Sequence, residues 1–303
     1  MRKNNLKKVV VLGLGKSGIS AMRLCSRLGI ACAGFDEKNI PSFNEGNSLN
    51  NSSANISSQL WNGERIPDAD IIVTSPGLSL KSEMFKAAIS TGIPIVSELE
   101  FASYFIDTPI LAITGTNGKT TTTELTCHLL KRAGKKAVCA GNIGTPLSDF
   151  ALCKEKYDFI VTEVSSFQLE HSPSFAPEAA VLLNLESDHM DRYKSFDDYA
   201  ATKVKIFKNI RNQSGAIIRF DLLSYWDRFI NSSQKPVTFS IKASDKSDIY
   251  FDSANNYIYI NHGFSALIDI SNAKLKGLHN VENMMGALAL TSSVLNQSCI
   301  QAL

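Results

Sequence analysis

Apolar and polar positions along the chain follow two alternating periods. Val9-Val10-Val11-Leu12 is a continuous β-branched and apolar run, and Ile19 to Leu28 then repeats its apolar residues at helical spacing. Gly29 is a stop signal for that helix, and Ile30 to Phe35 reads as the next strand, ending at Asp36. A polar stretch from Asn44 to Gln59 follows, whose Asn/Ser-rich part, Asn47 to Ser58, reads as a surface loop. Beyond it come a strand at Asp70 to Thr74, a turn at Ser75-Pro76-Gly77, a helix near Ser82 to Ser90 and a strand at Ile93 to Val96. A second series opens with the apolar strand Pro109 to Ile113, a glycine turn and a helix from Thr121 to Ala133, stopped at Gly134. Strands at Lys136 to Ala140, Asp158 to Val164 and Ala179 to Leu185 follow, then an amphipathic helix from Asp197 to Ile210. Strands alternating with helices of this length predict βαβ units and mostly parallel sheets. From Gly215 the pattern changes to short strands at Ala216 to Phe220, Val237 to Ile241, Tyr257 to Ile260 and Ala266 to Ile270. Asn255-Asn256 is a hairpin turn signal, and a final helix runs from Asn280 to Leu295.

Two strand-to-helix turns are built from glycine. In the second, Gly115-Thr116-Asn117-Gly118-Lys119-Thr120-Thr121 follows its strand directly. Such a turn leaves backbone N–H groups unpaired at the positive end of a helix macrodipole, which makes an anion site. Lys119 adds a point charge for the outer phosphates of a nucleotide, and Thr120 a hydroxyl for magnesium. The generic phosphate loop is G-x-x-x-x-G-K-[ST]. Ile113 stands five residues before Gly118, so the spacing here is the tighter Gly115-x-x-Gly118-Lys119-Thr120. The segment reads as a nucleoside triphosphate site.

The first turn, Gly13-Leu14-Gly15-Lys16-Ser17-Gly18 with Asp36 about 20 residues on, fits the dinucleotide fingerprint and taken alone says nicotinamide dehydrogenase. Room argues against it. A complete dinucleotide fold needs two βαβαβ halves, and the phosphate loop's own strand begins soon after Val96. A single half binds one mononucleotide or nucleotide-like group at the carboxyl ends of its strands. The expected fold class is therefore α/β: an N-terminal Rossmann-like parallel-sheet domain over residues 1–97, then a P-loop ATPase-type α/β domain over 98–303 with a small additional β region.

Bulk properties narrow the function class. A chain of 303 residues with 44% apolar and 20% charged residues is long enough for two cores. Its net charge of +2 offers no electrostatic case for nucleic acid. Six cysteines, at 25, 32, 127, 139, 153 and 299, form no Cys-x-x-Cys pair and read as free thiols of a reducing compartment. The first apolar run is too short for a signal peptide, and no segment approaches a membrane span. The expectation is a cytoplasmic monomer without membrane insertion.

Two further constellations carry chemistry. Glu163 ends an apolar strand in Val161-Thr162-Glu163-Val164-Ser165-Ser166-Phe167-Gln168-Leu169-Glu170, where it either holds magnesium or faces solvent as a strand-end acid. Asn184-Leu185-Glu186-Ser187-Asp188-His189-Met190-Asp191-Arg192-Tyr193 also follows a strand, and is either a metal site or a polar loop.

Taken in order with Tyr199-x-x-x-Lys203 and Gly277-Leu278-His279-Asn280-x-x-Asn283, these motifs resemble the Mur ligases, ATP-dependent amide ligases of peptidoglycan precursor synthesis. The Ser-Ser-Phe-Gln-Leu-Glu form looks most like the D-glutamate-adding branch of that family. The resemblance implies that Gly115, Thr116, Asn117, Gly118, Lys119, Thr120 and Thr121 bind ATP, with Asn280 and Asn283 on the nucleotide side. It implies a first magnesium ion on Thr120 and Glu163, and a second on His189 and a carbamylated Lys203. The carbamate is chemically apt, since an ammonium cannot ligate a hard cation whereas its CO2 adduct presents anionic oxygens. Gly15, Lys16, Ser17, Asp36, Glu37, Lys38, Gly77, Asn142 and Ser165 stand where the family holds the UDP-sugar. Lys38 replaces an arginine found in some relatives, keeping the charge and losing the bidentate fork.

The implied catalytic set is Lys119, Glu163, His189 and Lys203. The implied reaction joins D-glutamate to UDP-N-acetylmuramoyl-L-alanine through an acyl phosphate. Family members carry a third domain for the acceptor amine, and a chain ending at Leu303 is expected to lack it. Read without the resemblance, the residues leave two other readings open: a binding module for nucleotide-sugar and ATP without turnover, and a P-loop NTPase with a dinucleotide-type partner domain.

Overall fold

The computed structural model describes residues 6–38, 55–142, 144–151, 153–230, 233, 235–262 and 265–295, and the chain forms two compact units. The first comprises Met1–Asp107, Thr145–Glu155 and Phe167–Phe175. Its elements are β1 (Lys8–Leu12), α1 (Lys16–Leu28), β2 (Ala31–Asp36), β3 (Ile56–Leu60), β4 (Ile71–Thr74), α2 (Glu83–Ser90), β5 (Ile95–Ser97) and α3 (Glu98–Ser103). The strands form one parallel sheet in the order β3-β2-β1-β4-β5.

Parallel sheets need cover on both faces, which explains the unbroken apolar run of β1. Val9 and Val11 pack with Met22, Cys25 and Phe101, while Val10 and Leu12 pack with Ile72, Met84 and Ala88. The valine, leucine, isoleucine, methionine and phenylalanine side chains among these each contribute roughly 1.5–3 kcal/mol when fully buried.

One expectation changes here. The loop expected to reach Ser58 ends earlier, because Ile56–Leu60 pairs with β2 from Cys32↔Ile56 to Asp36↔Leu60. Ladder hydrogen bonds hold this half-exposed edge strand, so its Ser-Ser-Gln composition hides it. The rest of that loop, from Asn47 to Ala54, lies outside the described residues, as do Ile143 and Cys299. Compact packing in the first unit runs past residue 97. The Ser97 hydroxyl caps α3 by accepting from Glu100 N at 3.1 Å, and Phe101 of α3 lies in the first unit's core. Two later segments dock there through buried and part-buried polar contacts. Ser148 N donates to Glu98 Oε1 at 2.7 Å, Ser20 Oγ to Asp149 Oδ1 at 2.7 Å, and Ser174 N to Glu100 Oε1 at 3.1 Å.

The second unit comprises Thr108–Gly144, Lys156–Ser166 and Ala176–Leu303. Along this part of the chain run β6 (Ile110–Thr114), α4 (Lys119–Arg132), β7 (Ala137–Gly141), β8 (Phe159–Glu163), α5 (Ser166–Glu170), β9 (Ala179–Leu182) and α6 (Phe196–Val204). Then come β10 (Ala216–Arg219), α7 (Leu223–Phe229), β11 (Val237–Ser240), β12 (Ile249–Asp252), β13 (Tyr257–Asn261), β14 (Ser265–Asp269) and α8 (Leu278–Ser292). One sheet takes the order β14-β13-β12-β11-β10-β9-β6-β8-β7, parallel from β7 through β12 and antiparallel at β13 and β14. The additional β region is thus the far side of the central sheet. Asn256, at φ +57°, lies in the turn joining β12 to β13. Helix α6 ends sooner than its apolar spacing suggests and continues as one tight 3-10 turn over Lys205–Phe207. Among the described residues no helix is long and apolar enough to cross a membrane.

Candidate nucleotide site

Strand β6 is buried at every position and lies between β8 and β9, so its carboxyl end opens among loops from both neighbours. The chain leaves it through Gly115 and enters α4 at Gly118, which adopts φ +81°. A Cβ on Gly118 would stand 2.1 Å from Asn283 Oδ1, so both backbone and surroundings demand glycine. The loop is pinned from the β9 side. Asn117 N donates to Asn184 Oδ1 at 2.8 Å, Asn184 Nδ2 to Asn117 O at 3.1 Å, and Asn117 Nδ2 to Glu186 Oε2 at 2.9 Å. The Thr116 and Tyr199 hydroxyls lie 2.9 Å apart.

Oxygen donors and two lysines meet at this loop. Thr120 Oγ1 donates to Glu163 Oε2 at 2.8 Å, and Asn142 Nδ2 to Glu163 Oε1 at 3.1 Å. Glu163 ends β8 and is buried. Lys119 folds back over the loop, its Nζ donating to Thr116 O at 2.7 Å and Gly115 O at 3.1 Å. Lys203 Nζ, 2% exposed as a residue, donates to the same Gly115 carbonyl at 2.8 Å. Burial lowers the pKa of Lys119. Lys203 is lowered to about 7, first by burial and then by the neighbouring Lys119 charge.

The remaining predicted residues distribute around this centre. Thr121 shares the first turn of α4. Asn283 is buried in α8, accepting from Thr122 Oγ1 at 3.3 Å and donating through Nδ2 to Asn280 Oδ1 at 3.3 Å. His189 stands in the loop after β9 at φ +55°, with Nε2 3.3 Å from Asp188 Oδ2 and its side chain 46% exposed. Ser165 follows Glu163 by two residues.

In the first unit, a cavity of about 300 Å³ lies at the carboxyl ends of the strands, lined by residues that include Gly15, Asp36, Glu37, Lys38, Ser75 and Gly77. Asp36 shapes it by accepting from Leu14 N at 2.7 Å and Lys38 N at 2.8 Å. Glu37 Oε1 accepts from Met84 N at 3.2 Å. Lys16 and Ser17 lie in the first turn of α1, outside the residues that line the cavity.

Residues 113–291 match the Mur ligase middle domain, and residues 7–97 match the MurD-like N-terminal domain of Mur ligases. The chain belongs to the Mur ligase family. It is 36% identical over 282 residues to the UDP-N-acetylmuramoylalanine--D-glutamate ligase of Thermoanaerobacter sp. (strain X514), covering 93% of this chain and 62% of that protein. The ligase of the same name from Koribacter versatilis (strain Ellin345) is 35% identical, with 94% and 63% covered. The chain therefore spans a little over three fifths of the length of these curated relatives. Among solved structures, the UDP-N-acetylmuramate:L-alanyl-gamma-D-glutamyl-meso-diaminopimelate ligase of Neisseria meningitides superposes with a TM-score of 0.60. At 18% identity, covering 98% of this chain and 97% of that one, it speaks for the shared fold.

For a Mur ligase, the donor set at the phosphate loop suits magnesium. A hydroxyl and a carboxylate side by side are hard oxygen ligands, and magnesium takes one or two carboxylates plus phosphates and water. Among the described residues no group of three or more His, Cys, Asp and Glu side chains forms a metal cluster. Thr120 and Glu163 are hard oxygen side chains that meet at this loop. Sequence reasoning underweighted three supporting residues. Asn184 and Glu186 pin Asn117 from the loop after β9, and Asn142 braces Glu163. The first two sit inside a motif whose acids and histidine drew attention, so a polar strand end was the signal available.

Proposed function

We propose that this Mur ligase chain serves amide formation between UDP-N-acetylmuramoyl-L-alanine and D-glutamate, driven by ATP through an acyl phosphate. The observation that carries the reading is the Thr120–Glu163 contact at the mouth of a loop where Lys119 and Lys203 share one carbonyl. The loop amides and the amino end of α4 bind the phosphates. Lys119 exchanges its contacts with Gly115 O and Thr116 O for phosphate oxygens, and Asn280 and Asn283 border the nucleoside. The first unit's cavity takes the uridine end of the sugar nucleotide, with Gly15, Asp36, Glu37, Lys38 and Gly77 around it and Lys16 and Ser17 close by.

Magnesium, when bound, neutralises the phosphate charge that would otherwise repel the attacking carboxylate. Thr120 and Glu163 would hold one ion, and His189 with the Lys203 carbamate a second. A lysine pKa of about 7 supports the carbamate, because a neutral amine adds CO2 and releases one proton. The setting proposed is cytoplasmic. Separate calorimetric titrations with UDP-N-acetylmuramoyl-L-alanine, ATP with magnesium, and NADH test the reading. Binding of the first two without the third is expected, and binding of NADH in place of the sugar nucleotide would overturn it.

A further inference from the structure

The carboxyl end of β10 carries an arginine to which the nucleotide reading gives no role. Strand register sets Ile218 beside Leu182, and Leu182 beside Thr114. Arg219 therefore stands level with Gly115, two strands from the start of the phosphate loop. Its Nε donates to Asp221 Oδ1 at 2.7 Å and its Nη2 to Asp221 Oδ2 at 2.8 Å, a bidentate fork that fixes the guanidinium plane. Nη1 reaches across to α8 and donates to Glu282 Oε1 at 3.4 Å. That contact is largely out of water: the Arg219 and Glu282 side chains are 20% and 18% exposed, whereas Asp221 is 58% exposed. Burial pushes the Glu282 carboxyl above its ordinary range, and the Arg219 charge pulls it back.

Glu282 is the residue before Asn283, near the start of α8. Among the described residues no side chain caps that helix at Gly277. Apolar burial presses α8 onto the sheet but is non-directional, so it sets the helix's rotation loosely. The Arg219–Glu282 contact is directional. It ties this end of α8 to the central sheet by side chains outside the asparagine pair. We infer that Arg219 is a positioning residue for the nucleoside half of the site, acting through Glu282 on the placement of Asn280 and Asn283. This rests on the nucleoside role proposed above for those asparagines. The phosphate loop is held separately, since Asn184 and Glu186 pin Asn117 from the loop after β9. Loss of the Arg219–Glu282 contact therefore weakens the grip on the nucleoside and spares the grip on the phosphates.

The test compares the 303-residue chain with Arg219→Gln, Glu282→Gln, the double variant and Arg219→Lys. Each is titrated by calorimetry with ATP plus magnesium and, separately, with inorganic triphosphate plus magnesium, and each is unfolded in urea. Arg219→Gln and Glu282→Gln should each weaken ATP binding about ten-fold while triphosphate affinity stays within about two-fold. The double variant should lose no more than either single change, because both remove the same contact. Arg219→Lys keeps the charge but lacks the fork that serves Asp221 and Glu282 together, so its ATP affinity should fall between parent and Arg219→Gln. An ion pair with a purely structural role would lower the urea midpoint without separating the two ligands. Unchanged ATP affinity, equal loss of ATP and triphosphate, or additive losses in the double variant would overturn the inference. A parent chain that binds triphosphate as tightly as ATP would instead defeat the nucleoside role of Asn280 and Asn283, and this inference with it.

Discussion

Gly13–Gly18 and Gly115–Gly118 both carry the chain from a buried parallel strand into a helix, yet they are completed by different parts of the molecule. In the first loop the partners are local. Gly18 lies so close to Gly13 that a Cβ would stand 2.0 Å from the Gly13 carbonyl oxygen, and Asp36 on the next strand accepts from Leu14 N. In the second loop the partners come from far along the chain. Glu163, Asn184, Lys203 and Asn283 converge from β8, the loop after β9, α6 and α8. In the first loop the acid fixes its own backbone beside the cavity proposed for the sugar nucleotide. The second gathers oxygen donors and two lysines that no local segment could supply, and there the phosphate chemistry is proposed.

The largest effect is expected at Gly118. Gly118→Ala forces a side chain into the left-handed region and onto Asn283, at a cost of about 3 kcal/mol from strain and overpacking together. Urea unfolding should register that loss, and calorimetry should find ATP binding abolished. Adding Asn283→Ala should return the steric share of the stability but not the backbone share. Simple additivity of the two changes would break the claim that the loop is completed by α8.

Lys203 comes next. Its folded pKa of about 7 lies below the ordinary lysine value of 10.5, so the folded chain sheds a proton that the unfolded chain keeps. The cost of burying it is full below pH 7 and falls as pH rises from 7 toward 10.5, by up to about 1.4 kcal/mol per pH unit. In CO2-free buffer, stability relative to Lys203→Met should climb between pH 7 and 9. A flat difference would mean that Lys203 is not held neutral.

The first unit has its own titrating group with the opposite slope. Glu98 is 1% exposed, and Oε2 has no hydrogen-bond partner among the described residues. Burial raises its pKa from 4.5 to about 7, so the folded chain keeps a proton the unfolded chain loses. Stability relative to Glu98→Gln should therefore fall as pH rises from 5 to 7, a smaller window than that of Lys203. Urea titrations across that range would detect it, and a rising difference would contradict the assignment.

The smallest effect is expected at Gly15. No atom lies within 4 Å of the place a Cβ would take there, so Gly15→Ala should change stability by less than about 1 kcal/mol. A loss as large as that of Gly118→Ala would erase the contrast between the loops.

The same contrast explains what could be read from the sequence. Val9 to Leu12, Ile110 to Ile113 and the residues from Gly118 to Thr120 announce themselves because apolar runs and glycine turns are local signals. Edge strand β3 does not, since its Ser-Ser-Gln residues are held by backbone pairing. The docking of Ser148 and Ser174 on Glu98 and Glu100 is likewise invisible to periodicity, because each contact joins residues far apart in the chain. At the site, Lys119, Thr120 and Glu163 were legible from position in a motif. The shared Gly115 carbonyl under Lys119 and Lys203 required the fold to bring α6 over the loop.

The most direct test of this division of labour is calorimetry on the chain and its Lys119→Ala variant, titrated separately with ATP plus magnesium and with UDP-N-acetylmuramoyl-L-alanine. The variant is expected to lose ATP binding by at least ten-fold, about 1.4 kcal/mol, while sugar-nucleotide affinity stays within two-fold. An equal loss of both, or an ATP affinity unchanged by the substitution, would contradict that division.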